Sequence, residues 1–236
     1  MMRYGLISSC LFLSLTVFGQ EENSKGDSHP MVLKPSGHKG IIWDMSLTSD
    51  GKHIITAGQD KTVKIWDIEN DFEQRGEILG YISNEKYGAV YAARVSPNLK
   101  YIATAGFFGD QDHRRQIMDI RIYDYSTKKI IGILEGHVDV MTALRWSADS
   151  RYLISASRDY SVRVWDIEDQ KLKVLLKGHG DQVHSADIFG DHVVSGSKDN
   201  LIMLWDINTG STLATSFDHL DQVRQVIFDP SGKYII

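Results

Sequence analysis

A chain of 236 residues, 42% hydrophobic and 24% charged, is long enough to bury a sizeable core. Its formal net charge of −5 argues against nonspecific nucleic-acid binding as the main role. The one cysteine, Cys10, lies in an N-terminal apolar run, so a chain cleaved after that run could form no disulfide, thiol nucleophile or Cys-ligated metal site.

Residues 1–19 read as a secretory signal peptide. Arg3 supplies the positive n-region, Gly5 to Phe18 the apolar stretch, and Val17 and Gly19 stand ahead of a cut before Gln20. The expectation is export, to the periplasm or outside a bacterial cell, with no membrane insertion after cleavage. Two other readings stay open. Ile7-Ser8-Ser9-Cys10 loosely resembles a lipobox, although Leu11-Phe12-Leu13-Ser14-Leu15 continues the apolar run beyond the cysteine, and an uncleaved anchor is the other. Residues 20–30 are polar and read as a flexible spacer, so the fold is expected over 31–236.

From there the chain divides into similar units, each expected to form four strands. In the first, about 38–81, the strands are Ile41–Leu47, His53–Ala57, Thr62–Asp67 and Glu77–Tyr81, with a turn at Ser49-Asp50-Gly51. Alternating runs such as Val63-Lys64-Ile65 and Val162-Arg163-Val164 suggest half-buried strands. The second unit, about 87–135, carries an insertion around Phe107 to Gln116, between its second and third strands. The third and fourth span about 137–177 and 179–217. A fifth, 219–236, has Gln222 to Phe228 as its first strand, a turn at Asp229-Pro230-Ser231-Gly232 and a second strand starting at Lys233.

Three units share four polar residues at set spacing. Trp66, Trp165 and Trp205 each have an Asp six positions earlier (Asp60, Asp159, Asp199) and a hydroxyl ten earlier (Thr56, Ser155, Ser195). Farther back stands a Gly-His pair, with His38, His137 and His179. A buried chain explains such a set: indole N–H to hydroxyl, hydroxyl to imidazole, imidazole to carboxylate, with every polar atom partnered. The second unit departs from it. Thr104 keeps the hydroxyl, Tyr123-Asp124 replaces Trp-Asp, Lys86 falls where the histidine would be, and Asp119 is a partial substitute.

At these residues the chain resembles the WD-repeat β-propeller family, marked by Gly-His near the start and Trp-Asp near the end of a unit of about 40–45 residues. The resemblance runs from about Met31 to the last residue. It implies an all-β fold of four-stranded antiparallel blades around a central channel. By that reading the propeller is incomplete, with four full blades plus parts of two. Met31-Val32-Leu33-Lys34 looks like an outer strand without upstream partners, and the fifth unit stops within its second strand. The chain then reads as the N-terminal part of a longer protein whose open ring should associate. A smaller ring closed by pairing of the two fragments is the alternative.

Ser155, His137 and Asp159 are the residue types of a hydrolytic triad. The same trio recurs as His179, Ser195 and Asp199, and as His38, Thr56 and Asp60, whereas an active site is needed once. The expectation is therefore scaffolding, and no catalytic residue. His179, His184 and Asp187 lie close in sequence, but 184 and 187 have opposite parity along a strand, so no metal site and no cofactor are expected.

What the resemblance implies for function lies at the channel mouth, at positions three and five after the tetrad His and one before the tetrad Asp. These are Ile41, Trp43 and Gln59; Val140, Thr142 and Arg158; Gln182, His184 and Lys198; Gln222 and Arg224; and, in the second unit, Ala89 and Tyr91. The insertion adds Phe107, Phe108, His113, Arg114 and Arg115 to the same face. Aromatic and Arg side chains are the types enriched in interface anchors. The reading is a non-enzymatic scaffold that binds a protein or peptide, with an acidic segment, across this face. The alternatives are a small-ligand-binding or enzymatic propeller using its channel, with His184 as the one plausible titratable group, and a non-catalytic module preceding a further domain.

Overall fold

The computed structural model describes residues 37–80, 89–106, 108–109 and 116–236, of which His38–Ile236 form one unit. The expected signal peptide and spacer, the strand at Met31–Lys34, Tyr81, Lys86 and Tyr87, and Phe107, His113, Arg114 and Arg115 of the insertion lie outside the described residues.

Every regular element among the described residues is a strand, and the strands form four antiparallel sheets in sequence order. The first contains β1 (Ile42–Leu47), β2 (His53–Gly58), β3 (Thr62–Asp67) and β4 (Glu73–Leu79), hydrogen-bonded in that order. The second contains β5 (Val90–Val95), β6 (Tyr101–Gly106), β8 (Gln116–Asp124) and β9 (Ile130–His137), with the short β7 (Phe108–Gly109) also paired to β8. Within the insertion, Phe108–Gly109 thus adds a short strand beside the start of β8. The third sheet is β10 (Met141–Trp146), β11 (Tyr152–Ser157), β12 (Ser161–Asp166) and β13 (Lys171–Lys177). The fourth is β14 (Val183–Phe189), β15 (His192–Ser197), β16 (Ile202–Asp206) and β17 (Thr212–Ser216).

The first strands of neighbouring sheets stand side by side, β1 by β5, β5 by β10 and β10 by β14. This is the arrangement of propeller blades, with their inner strands about an axis. The sheets are not closed into a barrel. Side chains stitch one inner strand to the next: Ser46 Oγ donates to Ala93 O at 3.2 Å, Thr142 Oγ1 to Val183 O at 2.6 Å, and Ser185 Oγ to Val226 O at 3.2 Å.

The turns between first and second strands repeat one device. A hydroxyl accepts the amide five residues on, as in His53 N to Thr48 Oγ1 (3.0 Å), Tyr101 N to Ser96 Oγ (2.9 Å) and Tyr152 N to Ser147 Oγ (2.8 Å). That hydroxyl donates to Asp50, Asn98 or Asp149.

Packing runs from blade to blade. Ile55, Ala57, Val63, Ile65 and Ile78 of the first sheet close on Val90 and Ala93 of the second, and the third and fourth sheets continue the pattern. Sandwiching of this kind buries both faces of β3. Val63, Lys64 and Ile65 are all buried, so the half-buried pattern expected there is corrected. Lys64 is accommodated by Gln74 Oε1 at 3.2 Å and Glu77 at 3.7 Å.

Two further expectations are corrected. The outer strand of the first sheet begins at Glu73 rather than Glu77, because Asp71 and Phe72 take positive φ and Glu73 N bonds Asn70 O, closing a tight turn just before it. Gln222–Phe228 is not a continuous strand. It is anchored by Val223 N to Ser197 O at 2.9 Å and by a Phe228–Ile235 bridge, with reciprocal Ile227–Ile236 backbone bonds. Val223, Val226 and Phe228 nevertheless cover Val194 of the fourth sheet. Among the described residues no corresponding segment covers the other end. Ile42, Met45 and Leu47 are 40%, 60% and 51% exposed, whereas Val90, Ala93, Met141, Leu144, Val183 and Ala186, which share the positions of Ile42 and Met45 in later sheets, are buried.

Candidate functional site

The three polar tetrads form continuous hydrogen-bond chains. Trp66 Nε1 donates to Thr56 Oγ1 at 2.7 Å, His38 Nε2 lies 2.6 Å from the same hydroxyl, and His38 Nδ1 lies 2.9 Å from Asp60. In the third sheet the corresponding distances are 2.9, 2.7 and 2.7 Å through Trp165, Ser155, His137 and Asp159. In the fourth they are 2.8, 2.7 and 2.9 Å through Trp205, Ser195, His179 and Asp199.

Each carboxylate also accepts the amide just after its histidine, Lys39 N at 2.8 Å, Val138 N at 3.2 Å and Gly180 N at 2.8 Å. His137 ends β9 of the second sheet while its partners lie in the third, so this chain ties one blade to the next. Burial pushes the His137 imidazole below its ordinary value, against the raising effect of the Asp159 bond. Burial alone would raise Asp159, yet bonds from His137, Ser161 and Val138 hold it well below the ordinary range.

Ser155 and Ser195 have no accessible surface, and each hydroxyl is covered by an indole N–H donor. A substrate carbonyl cannot reach such an oxygen, and these trios hold strands in place. The residues considered as metal ligands are each engaged elsewhere: His179 in its tetrad, His184 Nε2 with Gln222 Oε1 at 3.1 Å, and Asp187 with Phe228 N at 2.9 Å.

The second sheet keeps the tetrad framework with different chemistry. Tyr123 faces Ile102, as Trp66 faces Ile54, and Thr104 faces Arg121, as Thr56 faces Lys64. Asp119 is buried, with Oδ1 and Thr104 Oγ1 lacking a hydrogen-bond partner of ordinary geometry among the described residues. Burial raises Asp119 to about 6 despite the Arg121 charge, whose Nε is 3.9 Å away.

The residues expected at the rim share a backbone feature. The ladder between first and second strands skips one residue in every sheet, and the skipped residues are Trp43, Tyr91, Thr142 and His184. A bulge of this type bends the strand and re-aims the unpaired side chain. The turn bearing each tetrad Asp is bound to the same end of the inner strand, by Gln59 N to Ile41 O (2.8 Å), Arg158 N to Val140 O (2.9 Å) and Lys198 N to Gln182 O (2.9 Å).

Trp43 and Tyr91 form a tilted aromatic pair with centroids 5.8 Å apart, and Gln59, Arg158, Lys198 and Arg224 are exposed. Ala89 is buried and contributes backbone only. Thr142 spends its hydroxyl on Val183 O, and Gln222 meets His184, so these four are less available than the exposed cations.

Sequence reasoning missed a set of carboxylates here. Asp139, Asp181 and Asp221 stand two residues after His137, His179 and His219, and each accepts the next amide at 2.6–2.7 Å. Lys198 is paired with Asp181 at 3.3 Å, which leaves Arg158 and Arg224 as the rim cations without an ion pair among the described residues. The repeated Gly-His-x-Asp and His-x-Asp spacing was the available signal.

Comparison with known proteins agrees with this geometry. The model of the WD domain, G-beta repeat, matches residues 30–67, 128–166 and 170–206, each ending at the third strand of a sheet. Transducin beta-like protein 2 of Homo sapiens is 28% identical over 144 residues, covering 57% of this chain and 28% of that protein. Serine-threonine kinase receptor-associated protein of Gallus gallus is 29% identical over 164 residues, 69% of this chain and 40% of that protein. Transcription initiation factor TFIID subunit 5 of Caenorhabditis elegans is 27% identical over 132 residues, 56% of this chain and 18% of that protein. The chain therefore spans well under half the length of each of these relatives.

Proposed function

The chain belongs to the WD-repeat family, and from that premise we propose that it is a non-enzymatic protein-interaction scaffold whose contact face is the bulged rim of the inner strands. The observation that supports this reading is the coincidence of the skipped ladder residues, Trp43, Tyr91, Thr142 and His184, at the same place in all four sheets. An exposed aromatic anchor, together with two cations that have no ion pair among the described residues, suits a polar partner that inserts one apolar group.

The chemistry favours a peptide or protein segment bearing carboxylates. Arg158 and Arg224 supply bidentate donors, while Lys198 is neutralised by Asp181. Gln59 adds a neutral donor and acceptor. Export is part of the proposal, supported by Arg3 and the apolar run that follows it. Expression in a bacterial host with intact-mass measurement tests it: a mature chain starting at Gln20 is expected, and an uncleaved N-terminus in the cytoplasm would defeat it.

The contact face is tested with a displayed peptide library graded in charge. Binders should be enriched in Asp and Glu, and changing Trp43, Arg158 and Arg224 together to Ala should abolish binding while the melting temperature stays unchanged. Binding that survives the triple substitution, or binders without acidic residues, would defeat the reading.

A further inference from the structure

Across the inner strands runs a row of charges that neither the tetrads nor the rim use. Pairing fixes the equivalent positions: Ser46 opposes Ile55, Arg94 opposes Ala103, Arg145 opposes Ile154 and Asp187 opposes Val194. Two successive sheets therefore present a guanidinium at the same place. Each curls back so that Nη1 donates to the preceding carbonyl, Arg94 to Ala93 O at 2.8 Å and Arg145 to Leu144 O at 3.1 Å.

Their surroundings differ in one respect. Arg94 is ion-paired with Asp44 of the preceding sheet, whose Oδ2 also accepts Ala93 N at 3.1 Å. Asp44 opposes Ala57, and the same position in the second sheet, opposite Ala105, is Ala92. Arg145 thus repeats the geometry of Arg94 without the carboxylate that Arg94 has, and among the described residues none forms an ion pair with it. Burial and then the Arg94 charge both disfavour its cation, with Asp187 and Asp44 offsetting only part. Asp187 is itself occupied by Phe228 N.

The two partly buried guanidiniums are flanked by Asp44 on one side and Asp187 on the other, but only Arg94 has a carboxylate within ion-pair distance among the described residues. We propose that Arg94 and Arg145 form a receptor for a small oxyanion, a phosphate or carboxylate group that does for Arg145 what Asp44 does for Arg94. A guanidinium donates through a planar fork that matches either group, and burial strengthens the contact relative to water. The site lies below the rim on the inner strands, so its occupancy does not depend on the peptide-binding reading.

The test is isothermal titration of the full chain with inorganic phosphate, and separately with acetate, at constant ionic strength set with chloride. Saturable binding is expected for the parent, and Arg145→Gln should weaken it about tenfold or more, as expected for losing a charge-assisted bond. Ala92→Asp, which places a carboxylate where Asp44 stands one sheet earlier, should abolish it by supplying the anion internally. If that variant does not fold, Arg145→Lys serves instead, since it keeps the charge but loses the fork and should weaken binding. Acetate binding as well as phosphate assigns a carboxylate ligand; phosphate binding alone assigns a phosphate group. Absence of saturable binding to the parent, or unchanged binding in Arg145→Gln, overturns the proposal.

Discussion

The ring of Trp205 passes so close to Gly178 that a Cβ added there would lie 2.9 Å from Cη2, with Met203 Cε at 3.2 Å. The glycine of the Gly-His pair is therefore a space requirement set by the tryptophan at the far end of the same repeat. Its counterpart Gly136 meets the Arg163 guanidinium and Trp165, and also has a φ of +154°. Gly178→Ala should destabilise the protein by about 1–3 kcal/mol, because the indole is locked by its Ser195 bond and cannot retreat. Gly37, with no neighbour within 4 Å, should tolerate Ala with little change. Urea midpoints of the two variants check this, and equal midpoints would refute the spatial argument.

Ser195 is the hub of its tetrad, bonded to both Trp205 Nε1 and His179 Nε2. Ser195→Ala leaves an indole donor and an imidazole nitrogen buried without a partner, at a cost of about 1–3 kcal/mol for each. Ser195→Thr keeps the hydroxyl but adds a methyl where no accessible surface exists, so it should fall between parent and Ala. A chemical denaturation series ranks the three, and Ala equal to parent would mean that water replaces the hydroxyl.

The tetrads were legible from spacing because a hydrogen-bond chain across three strands demands fixed residue types at fixed separations, from His137 through Ser155 and Asp159 to Trp165. Strand existence was legible for the same reason. Three features were not. The bulges at Trp43 and His184 leave no mark on the alternation of side chains, since they depend on how the ladder closes between strands. Ion pairing at the rim, such as Lys198 with Asp181, depends on turns brought together by those bulges. The outer-strand start at Glu73 was hidden because Asp71 and Phe72 adopt positive φ without a glycine to announce it.

Acid should weaken the fold through the tetrads in two stages. His137 is held below its ordinary 6.5 chiefly by burial, so the unfolded chain takes up a proton first as pH falls. Its contribution is complete above pH 6.5 and is lost as pH falls from there toward the folded-state value. Asp60, Asp159 and Asp199 are all held below 3.8 by bonds from histidine, amide and, in the first two, hydroxyl donors, against burial, so their contribution is present above that pH and is lost below it. A plot of unfolding free energy against pH should therefore decline as pH falls below 6.5 and again as it falls below 3.8. His137→Gln should abolish the upper decline, although it lowers stability throughout. Persistence of that decline in the variant would assign it to other groups.

Asp119 works in the opposite direction. Burial raises its carboxyl to about 6, with Arg121 countering and Glu135 adding to the shift, while Glu135 on β9 and Arg121 on its own strand are the charged groups that act on it. The folded protein holds this proton between pH 3.8 and about 6 while the unfolded chain releases it, so its contribution is fully present below 3.8 and is lost as pH rises through 6. Asn at this position imitates the protonated acid. Asp119→Asn should match the parent near pH 4 and melt higher at pH 8, by about 2–4 °C for each kcal/mol gained in a domain of this size. A variant that melts lower at pH 8 would show that the Arg121 attraction outweighs the desolvation of the carboxylate. The place of Asp119 beside Tyr123 and Thr104 would then be an ion-paired substitute for the tetrad rather than a buried acid tolerated there.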